Sequence, residues 1–310
     1  MKKKLFTGVA VAAALLLSAC ASGDPLAASP SATATTSSSS SATAVSITVG
    51  SANFPESELL AELYAGALQA KGVSVTKKLN IASRETYVPA LTKGEIDLIP
   101  EYTGAFAKYL NADADTSNEA AALASLQAAL PKTLTALQPA AAQDKDSITV
   151  TRATADKYSL KTIEDLVPVA GQLVLGGPPE WKSRSYGVPG LKKDYGLVFR
   201  EFKALDVAGP LTVQALKNGQ VQAANLFTTD PAIKANDFVS PEDTKSFFGA
   251  QNVIPVLTAT KATPEVVAAL NGVSAKLDTD TLATLVTKVV VDKQDASAVA
   301  AEWLTANGLS

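Results

Sequence analysis

The chain has 310 residues, which is room for about two domains. Hydrophobic residues make up 47% of the sequence and charged residues 18%, as is typical of a globular protein. The 27 basic and 30 acidic side chains give a net charge of -3. Basic residues are not in excess, so the composition gives no sign of nucleic-acid binding. Histidine is absent and Cys occurs once, which excludes Ser-His-Asp and Cys-His catalysis, histidine metal sites and intramolecular disulfides.

Residues 1–20 have the features of a lipoprotein signal peptide. Three lysines at positions 2–4 precede an apolar stretch over 5–17, which is too short to span a bilayer as a helix. The sequence Leu-Ser-Ala-Cys at 17–20 resembles the bacterial lipobox, in which the Cys thiol is acylated. The resemblance implies that Cys20 anchors the mature protein to the extracytoplasmic face of the cell membrane. An ordinary secretory peptide with an incidental Cys is the alternative.

Residues 21–44 are almost entirely Ser, Thr, Ala, Pro and Gly, with too few large apolar side chains to offset the entropy of folding. This composition predicts a disordered tether that keeps the folded part mobile near the membrane. No later stretch reaches the roughly 18 consecutive apolar residues that a membrane-spanning helix needs. We therefore expect the folded protein to cover 45–310.

Apolar periodicity and turn residues predict alternating strands and helices in the folded part. The predicted strands cover 47–50, 73–79, 96–99, 148–151, 173–175, 221–226 and 253–257. The predicted helices cover 56–71, 86–93, 102–110, 211–217, 264–277, 281–291 and 296–306. Because helix and strand alternate, the predicted class is α/β.

Two segments of the folded part resemble each other. Residues 90–97 and 215–222 each combine a helix end, a glycine and the start of a strand. An aromatic residue follows twelve positions after the start of each segment, Tyr102 in one and Phe227 in the other. The repeat predicts an aromatic side chain at the carboxyl end of a strand in each half, where ligands of open α/β sheets bind. Shared βα geometry, with both aromatics filling the core, is the alternative.

Short segments across the folded part resemble the glycine betaine/choline-binding proteins of osmoprotectant ABC importers. They agree with that family in order and spacing, at 47–54, 77–80, 94–104, 157–162, 179–184, 189–196 and 227–230. The resemblance covers essentially all of 45–310, and it includes a Glu-Tyr-Thr-Gly motif that contains Tyr102. It implies the type II periplasmic-binding-protein fold.

This fold implies two α/β lobes joined by two crossover strands, with a ligand cleft between the lobes. The crossovers are expected near 147–151 and 252–258. The first lobe would then comprise 45–147 with 252–310, and the second lobe 148–251. A ligand that touches both lobes favours the closed form, which the permease then recognises.

The family's ligand chemistry implies roles for three residues. A quaternary ammonium has no N–H to donate, so aromatic faces hold it by cation–π attraction, whereas a betaine carboxylate suits the paired donors of an arginine. Aligned with the family pattern, Tyr102 corresponds to a cage tyrosine and Arg184 to the carboxylate-binding arginine. Phe227 falls where the family usually has another cage tyrosine, so it keeps the ring and loses the hydroxyl.

Other positions depart from the family pattern. Asp146 and Gln251 fall where cage tyrosines are expected, and Ser57 replaces a Gln. At most two of the four cage rings are therefore expected, although the Asp146 carboxylate would attract a cation by charge. Together with Asn53, these residues predict a more polar pocket that also suits a solute with hydroxyls or amides.

Three further side chains near the expected cleft are open to two interpretations. Arg84 lies where relatives have a small Gly-Gly-Thr loop; a surface salt bridge with Glu85 or a neighbour is favoured for it, with entry of its side chain into the cleft as a ligand-binding residue as the alternative. Trp181 is expected either in the pocket wall or on the lobe surface. Tyr186 is expected to be partly buried with its hydroxyl in solvent, with a place in the lining of the cleft as the alternative.

The sequence as a whole predicts a lipid-anchored, monomeric solute-binding protein, with no cofactor or metal and no enzymatic activity. It would capture a glycine betaine- or choline-type solute and deliver it to an ABC permease with its ATPase subunit, and it would bind no nucleic acid. Two alternatives remain: transport of a non-quaternary polar or aromatic solute, and a sensor lipoprotein that uses the fold for recognition alone. A hydrolase or transferase is disfavoured because no nucleophile and base pair can be located.

Overall fold

A computed structural model describes residues 45–310. The signal peptide predicted at 1–20, with its acylated Cys20, and the tether predicted at 21–44 lie outside the described residues. Within 45–310, none of the helices combines the length and the hydrophobicity that crossing a bilayer requires.

Strands and helices alternate along the described chain, which confirms the predicted α/β class. The strands are β1 (Ser46–Gly50), β2 (Ser74–Lys78), β3 (Leu98–Tyr102), β4 (Leu134–Ala136), β5 (Asp146–Thr151), β6 (Val174–Gly177), β7 (Glu201–Ala204), β8 (Ala223–Phe227), β9 (Phe238–Val239) and β10 (Val253–Thr258). The helices are α1 (Pro55–Ala70), α2 (Arg84–Thr92), α3 (Thr103–Leu110), α4 (Glu119–Ala129), α5 (Arg152–Tyr158), α6 (Val188–Gly190), α7 (Pro210–Lys217), α8 (Pro231–Ala235), α9 (Pro264–Ser274), α10 (Thr279–Val290) and α11 (Ala296–Ala306).

The strands form two five-stranded mixed sheets with the same architecture. The first sheet has the order β2-β1-β3-β10-β4 and the second has the order β7-β6-β8-β5-β9. In each sheet the first three strands are parallel, and the fourth, β10 or β5, is antiparallel to both of its neighbours. Each sheet and its flanking helices make one α/β lobe, called the first lobe and the second lobe below.

The central strand of each lobe ends at an aromatic residue. Tyr102 is the last residue of β3 and Phe227 is the last residue of β8, as the internal repeat predicts. All five residues of β3 are buried, because helices cover both faces of a parallel sheet. The two rings are therefore fixed at the sheet edges from which the βα loops leave.

The prediction for β3 was wrong at its boundaries. The apolar run predicts a strand over 96–99 and a helix from position 102, whereas β3 covers Leu98–Tyr102 and α3 starts at Thr103. The reason is tertiary: antiparallel pairing with β10, from Tyr102 with Val253 to Leu98 with Leu257, keeps Pro100 and Glu101 in the strand. Glu101, a polar residue beyond the predicted end of the strand, is thereby held in the sheet.

Helix α1 starts at Pro55, a few residues after β1. Proline is favoured here because its missing N–H would have no helical partner, and Glu56 lies in the first turn, where the helix dipole favours a carboxylate. Leu59 and Leu63, which lie one helical turn apart, are fully buried. Packing of this face against α9 and α11 fixes the first turn of α1, and with it Glu56, at the edge of the first sheet.

The chain passes between the lobes twice, just before β5 and just before β10. β5 pairs only with β8 and β9, and β10 pairs only with β3 and β4, so each lies within one sheet. An isolated antiparallel bridge joins Gln143 to Asn252 in the two connecting segments. The segments near which the crossovers are expected, 147–151 and 252–258, are thus mainly sheet strands, and the connections immediately precede them.

Gly104, the glycine of the Glu-Tyr-Thr-Gly motif, packs directly on one of these connections. Its N–H donates to the carbonyl of Ala250 at 3.1 Å. A Cβ at position 104 would overlap that carbonyl oxygen and crowd the Gln251 amide. The motif therefore needs glycine at position 104, because the backbone there packs directly against the backbone of Ala250.

Candidate ligand-binding cleft

A small cavity of about 60 Å³ lies between the two lobes, at the carboxyl ends of β1, β3, β6 and β8. All eight residues proposed from the sequence line it: Asn53, Ser57, Arg84, Tyr102, Asp146, Arg184, Phe227 and Gln251. Pockets for drug-sized ligands commonly measure about 300 Å³ or more. The cleft is small by this comparison, and we call it the contracted cleft.

Three aromatic rings meet at one end of the cavity. Phe54 precedes α1, and its ring centroid lies 6.4 Å from that of Tyr102 and 5.2 Å from that of Phe227. Phe54 and Phe227 belong to opposite lobes, so this pair closes the cleft by ring contact. We call these three side chains the aromatic corner. The sequence analysis did not name Phe54 as a site residue, although it ends the first segment that resembles the family.

The Tyr102 hydroxyl is bound inside the protein. It donates to Glu56 Oε1 at 2.6 Å, while the hydroxyl of Thr229, from the second lobe, donates to Glu56 Oε2 at 2.7 Å. Burial is the main reason that the pKa of Tyr102 is well above its usual value. Tyr102 can therefore offer a ligand its ring but not its hydroxyl.

Three carboxyls lie around the aromatic corner without a basic partner. Burial raises the pKa of Glu56, Asp144 and Asp146. Asp144 accepts hydrogen bonds from Thr229 N at 3.0 Å and from the Thr228 hydroxyl at 3.2 Å. The ion pairs within 45–310 include none of the three carboxyls. We call them the acidic trio; no group of three or more potential ligands in the described chain is arranged to hold a metal ion.

The raised pKa values of the acidic trio predict that the stability of the ligand-free protein falls as pH rises. A carboxyl with a raised pKa binds its proton more tightly when folded, so its stabilising effect is lost as pH rises through the folded pKa. We expect the free energy of unfolding in urea to decrease between about pH 5 and 7, above the carboxyl pKa of about 4 in the unfolded chain. Burial raises the pKa of Glu85, but hydrogen bonds from Arg184 and Ser83 and the charge of Arg184 together outweigh it and lower the pKa to about 2. This group therefore acts in the opposite direction only at lower pH.

Asp144→Asn is the matched variant for this pH dependence. The amide oxygen can still accept from Thr229 N, and the titrating group is removed. We expect a flatter dependence of unfolding free energy on pH in this variant. A wild-type protein whose stability stays constant or rises between these pH values would contradict the assignment.

Arg84 enters the cleft and binds a carboxylate from its own lobe. Its Nε lies 3.0 Å from Glu101 Oε1 and its Nη2 lies 2.7 Å from Glu101 Oε2, and the Tyr87 hydroxyl donates to the same carboxylate at 2.6 Å. Its Nη1 donates to the Tyr186 hydroxyl of the second lobe at 3.1 Å. The favoured expectation, a surface salt bridge with Glu85, is therefore wrong. The expectation for Tyr186 is also wrong, because this side chain is 3% exposed and its hydroxyl faces Arg84.

Arg184, which the resemblance assigns to a ligand carboxylate, is bound to a carboxylate of the protein. Its Nε and Nη2 lie 3.1 and 2.8 Å from the two oxygens of Glu85, which belongs to the first lobe. This bidentate pair joins the two lobes in the contracted cleft. A ligand carboxylate would have to displace Glu85 to reach Arg184.

We expect Glu85→Gln to shift the ligand-free protein towards an open form. The Glu85 side chain is 46% exposed, so solvent screening limits the pair to about 1 kcal/mol, or roughly a fivefold change in the ratio of closed to open molecules. Small-angle scattering would detect this as a larger radius of gyration. The control is Arg152→Gln, which breaks a pair with Asp237 inside the second lobe. Identical scattering from Glu85→Gln and the wild type would show that the Arg184–Glu85 pair does not hold the two lobes together.

The remaining residues proposed from the sequence mainly shape the walls. Gln251 Oε1 accepts from Ala105 N at 2.8 Å, and its Nε2 donates to the carbonyl of Phe248. Ser57 Oγ accepts from Ala52 N at 2.9 Å. These polar atoms are committed to the backbone.

Two residues that line the cavity each carry a buried acceptor atom with no hydrogen-bond partner within the described chain. These atoms are Asn225 Oδ1 and Glu180 Oε2, both on the second lobe. Asn225 is 1% exposed, and its Nδ2 donates to Asp146 at 2.8 Å. Trp181, next to Glu180, is 1% exposed and also lines the cavity, so its place in the pocket wall is settled. A buried acceptor without a donor favours a ligand that supplies one.

Two α/β lobes with a cleft at the carboxyl ends of their parallel strands define a solute-binding protein of the type II periplasmic class. The family of substrate-binding domains of ABC-type glycine betaine transport systems matches residues 45–306, and the chain belongs to this family. Its members are extracytoplasmic solute-binding proteins of ABC importers, so the predictions of family, transport role and absence of enzymatic activity are confirmed.

Individual relatives agree with this assignment. The chain is 28% identical over 281 residues to the glycine betaine-binding protein YehZ of Escherichia coli, covering 84% of this chain and 90% of the relative. It is 25% identical over 271 residues to a glycine-betaine-binding protein of Pseudomonas aeruginosa, covering 84% and 87%. A solved glycine betaine/carnitine/choline ABC transporter structure matches with a TM-score of 0.67 at 23% identity, covering 85% of this chain and 99% of that chain. That structure supports the predicted fold.

Proposed function

We propose that this protein captures a quaternary ammonium solute of the glycine betaine and choline class and delivers it to an ABC permease with its ATPase subunit. The observation that carries the proposal is the aromatic corner beside the acidic trio. A trimethylammonium group is held by ring faces and by negative charge, and this corner supplies both.

The charge balance of the cleft favours a cation. Arg84 and Arg184 each bind one carboxylate, Glu101 and Glu85 respectively, so both guanidinium groups are already neutralised. The acidic trio forms no ion pair in the described chain, although the charges of Arg84 and Arg184 act on Asp146 to lower its pKa against the effect of burial. A bound organic cation would supply one positive charge and so favour ionisation of one of the three carboxyls inside the closed cleft.

Hydrogen bonding favours a cation that carries a hydroxyl. The unpartnered atoms of two residues that line the cavity, Asn225 Oδ1 and Glu180 Oε2, are both acceptors. Choline has an O–H to donate, whereas glycine betaine has no hydrogen-bond donor and adds a carboxylate for which no free arginine is left. We therefore propose that choline-type cations bind more tightly than glycine betaine.

The proposal is tested by calorimetric titration with choline and with its neutral carbon isostere, 3,3-dimethylbutan-1-ol. The two molecules have nearly the same shape and differ in charge, so the comparison isolates the electrostatic contribution. We expect choline to bind at least about 30-fold more tightly, since a desolvated cation–π contact is worth about 2 kcal/mol. Equal affinities, or no binding of choline or glycine betaine, would overturn the proposal in favour of an uncharged solute or a sensor role.

The lobe boundaries and the closing motion are part of the same proposal. Because Asp146 and Ser147 belong to β5 of the second sheet, the boundary expected at 147 moves to 145. The first lobe would comprise 45–145 with 252–310 and the second 146–251, moving about the segments bridged by Gln143 and Asn252. Contacts that cross the cleft, such as Glu56 with Thr229, support closure of one lobe on the other. A ligand that contacts both lobes would shift the population to the closed form.

We also propose that the protein acts as a membrane-anchored monomer. The lipobox-like sequence at 17–20 supports acylation of Cys20, and both walls of the cleft come from a single chain. Incorporation of labelled palmitate that is lost in Cys20→Ala would test the anchor. Sedimentation of the protein would test the oligomeric state.

A further inference from the structure

A second cavity of about 300 Å³ lies beside the cleft cavity and is walled by both lobes. The first turn of α1 and the end of α10 form one wall, and the loop before α7 with the start of α8 forms the other. Phe54, Val207 and Phe227 line both cavities, so the two spaces share a partition. We call the second space the side chamber.

The side chamber is mainly apolar. Five valines supply much of its surface: Val207, Val213, Val286, Val289 and Val290. The basic group in its lining is Lys293, whose ammonium donates to the carbonyl of Val290 at 2.6 Å. An apolar group that enters this space would be removed from water on several sides.

Acidic groups lie where the side chamber meets the cleft. Glu56, bound by Tyr102 and Thr229, lines the chamber together with Asp230. One oxygen of Asp230 accepts from Ala232 N at 2.8 Å, and burial raises the pKa of this carboxyl to about 6. Two carboxyl groups with raised pKa values thus line an otherwise mainly apolar space.

The partition between the two cavities is a contact between lobes. The rings of Phe54 and Phe227 come from opposite lobes and are each only half-buried, with centroids 5.2 Å apart. A small separation of the lobes would part them without disturbing the core of either lobe. The contracted cleft has room for a small head group, whereas the side chamber has about five times its volume.

We propose that the side chamber receives the apolar substituent of a cationic solute whose ammonium group lies in the aromatic corner. The protein would then bind organic monocations that carry an alkyl or aryl tail, beyond the compact choline class. This inference rests on the proposed function for the position of the head group. The tail would pass between Phe54 and Phe227 and lie against the five valines.

Titration of the full-length protein with tetramethylammonium, butyltrimethylammonium and hexyltrimethylammonium tests the side chamber. Burial of each methylene raises affinity about fourfold, so we expect hexyltrimethylammonium, which has two more methylenes, to bind about 15-fold more tightly than the butyl compound. Equal affinities across the series would overturn the inference that the side chamber binds the tail, and would leave the proposed function standing. Absence of binding for all three cations would overturn both.

Two neighbouring valines provide a matched pair of variants. Val290→Phe fills the chamber, whereas Val291→Phe adds the same side chain at a position that is 51% exposed and outside the chamber lining. We expect Val290→Phe to abolish the gain from butyl to hexyl while tetramethylammonium binding changes less than twofold, and Val291→Phe to keep the gain. Retention of the gain in a folded Val290→Phe protein, with an unchanged melting temperature, would place the tail elsewhere and overturn the inference.

Discussion

Replacing Glu101 with Leu is expected to lower the free energy of unfolding by about 3 to 5 kcal/mol, because it leaves the Arg84 guanidinium charged and buried without its partner. Glu101 is fully buried and accepts hydrogen bonds from Arg84, from the Tyr87 hydroxyl and from Tyr102 N. The Arg84 side chain is only 11% exposed, so water cannot replace the lost carboxylate. Urea unfolding monitored by circular dichroism would measure the change.

Two comparisons make this result specific to the buried pair. Glu302→Leu breaks an exposed pair with Lys288 and should cost less than about 1 kcal/mol. The double variant Arg84→Leu/Glu101→Leu removes both charges and should recover part of the loss. A Glu101→Leu protein as stable as Glu302→Leu would show that Arg84 finds another partner or reaches solvent.

Replacing Phe227 with Leu is expected to weaken choline binding by about 30-fold, since Leu fills similar space but has no ring face for the cation. Phe227 is the ring that the second lobe contributes to the aromatic corner, at the end of β8. The change should therefore affect the closed complex while the core of each lobe stays intact. Calorimetric titration gives the affinity, and thermal melting checks the fold.

Phe227→Tyr is the matched control for the ring. It restores the residue type that the family usually has at this position and keeps the π face, so we expect choline affinity to stay within about threefold of the wild type. Binding of 3,3-dimethylbutan-1-ol should be nearly the same in all three proteins. If Phe227→Leu weakened the neutral isostere as strongly as choline, shape rather than cation–π attraction would explain the loss.

Local sequence patterns predicted the framework of the fold well. Hydrophobic periodicity located α1, α7, α9, α10 and α11 to within a few residues, because each buries one apolar face. Short elements without an apolar pattern were missed, among them β4, β7 and β9. These strands exist because neighbouring strands provide hydrogen-bonding partners, and that information is not local.

The candidate site divides in a similar way. All eight residues proposed from the sequence line the cleft, since the family's segments fix which loops face it. The partners of those residues were not predictable: Arg184 meets Glu85 from 99 positions away, and Thr229 meets Glu56 from 173 positions away. Such contacts depend on how the two lobes meet.

By itself, the sequence determined that this protein is an α/β solute-binding protein of an ABC importer family, with an aromatic residue at the end of a strand in each half. Periodicity and glycine positions determine the α/β class and the strand ends because they act over neighbouring residues, and the family comes from the resemblance of short segments along the chain. Only the tertiary structure decided that both cleft arginines are already paired, that Phe54 completes the aromatic corner and that the acidic trio lacks a counter-ion. The reason is physical: charge balance and ring contacts arise between lobes, and a linear pattern does not specify which distant side chains meet there.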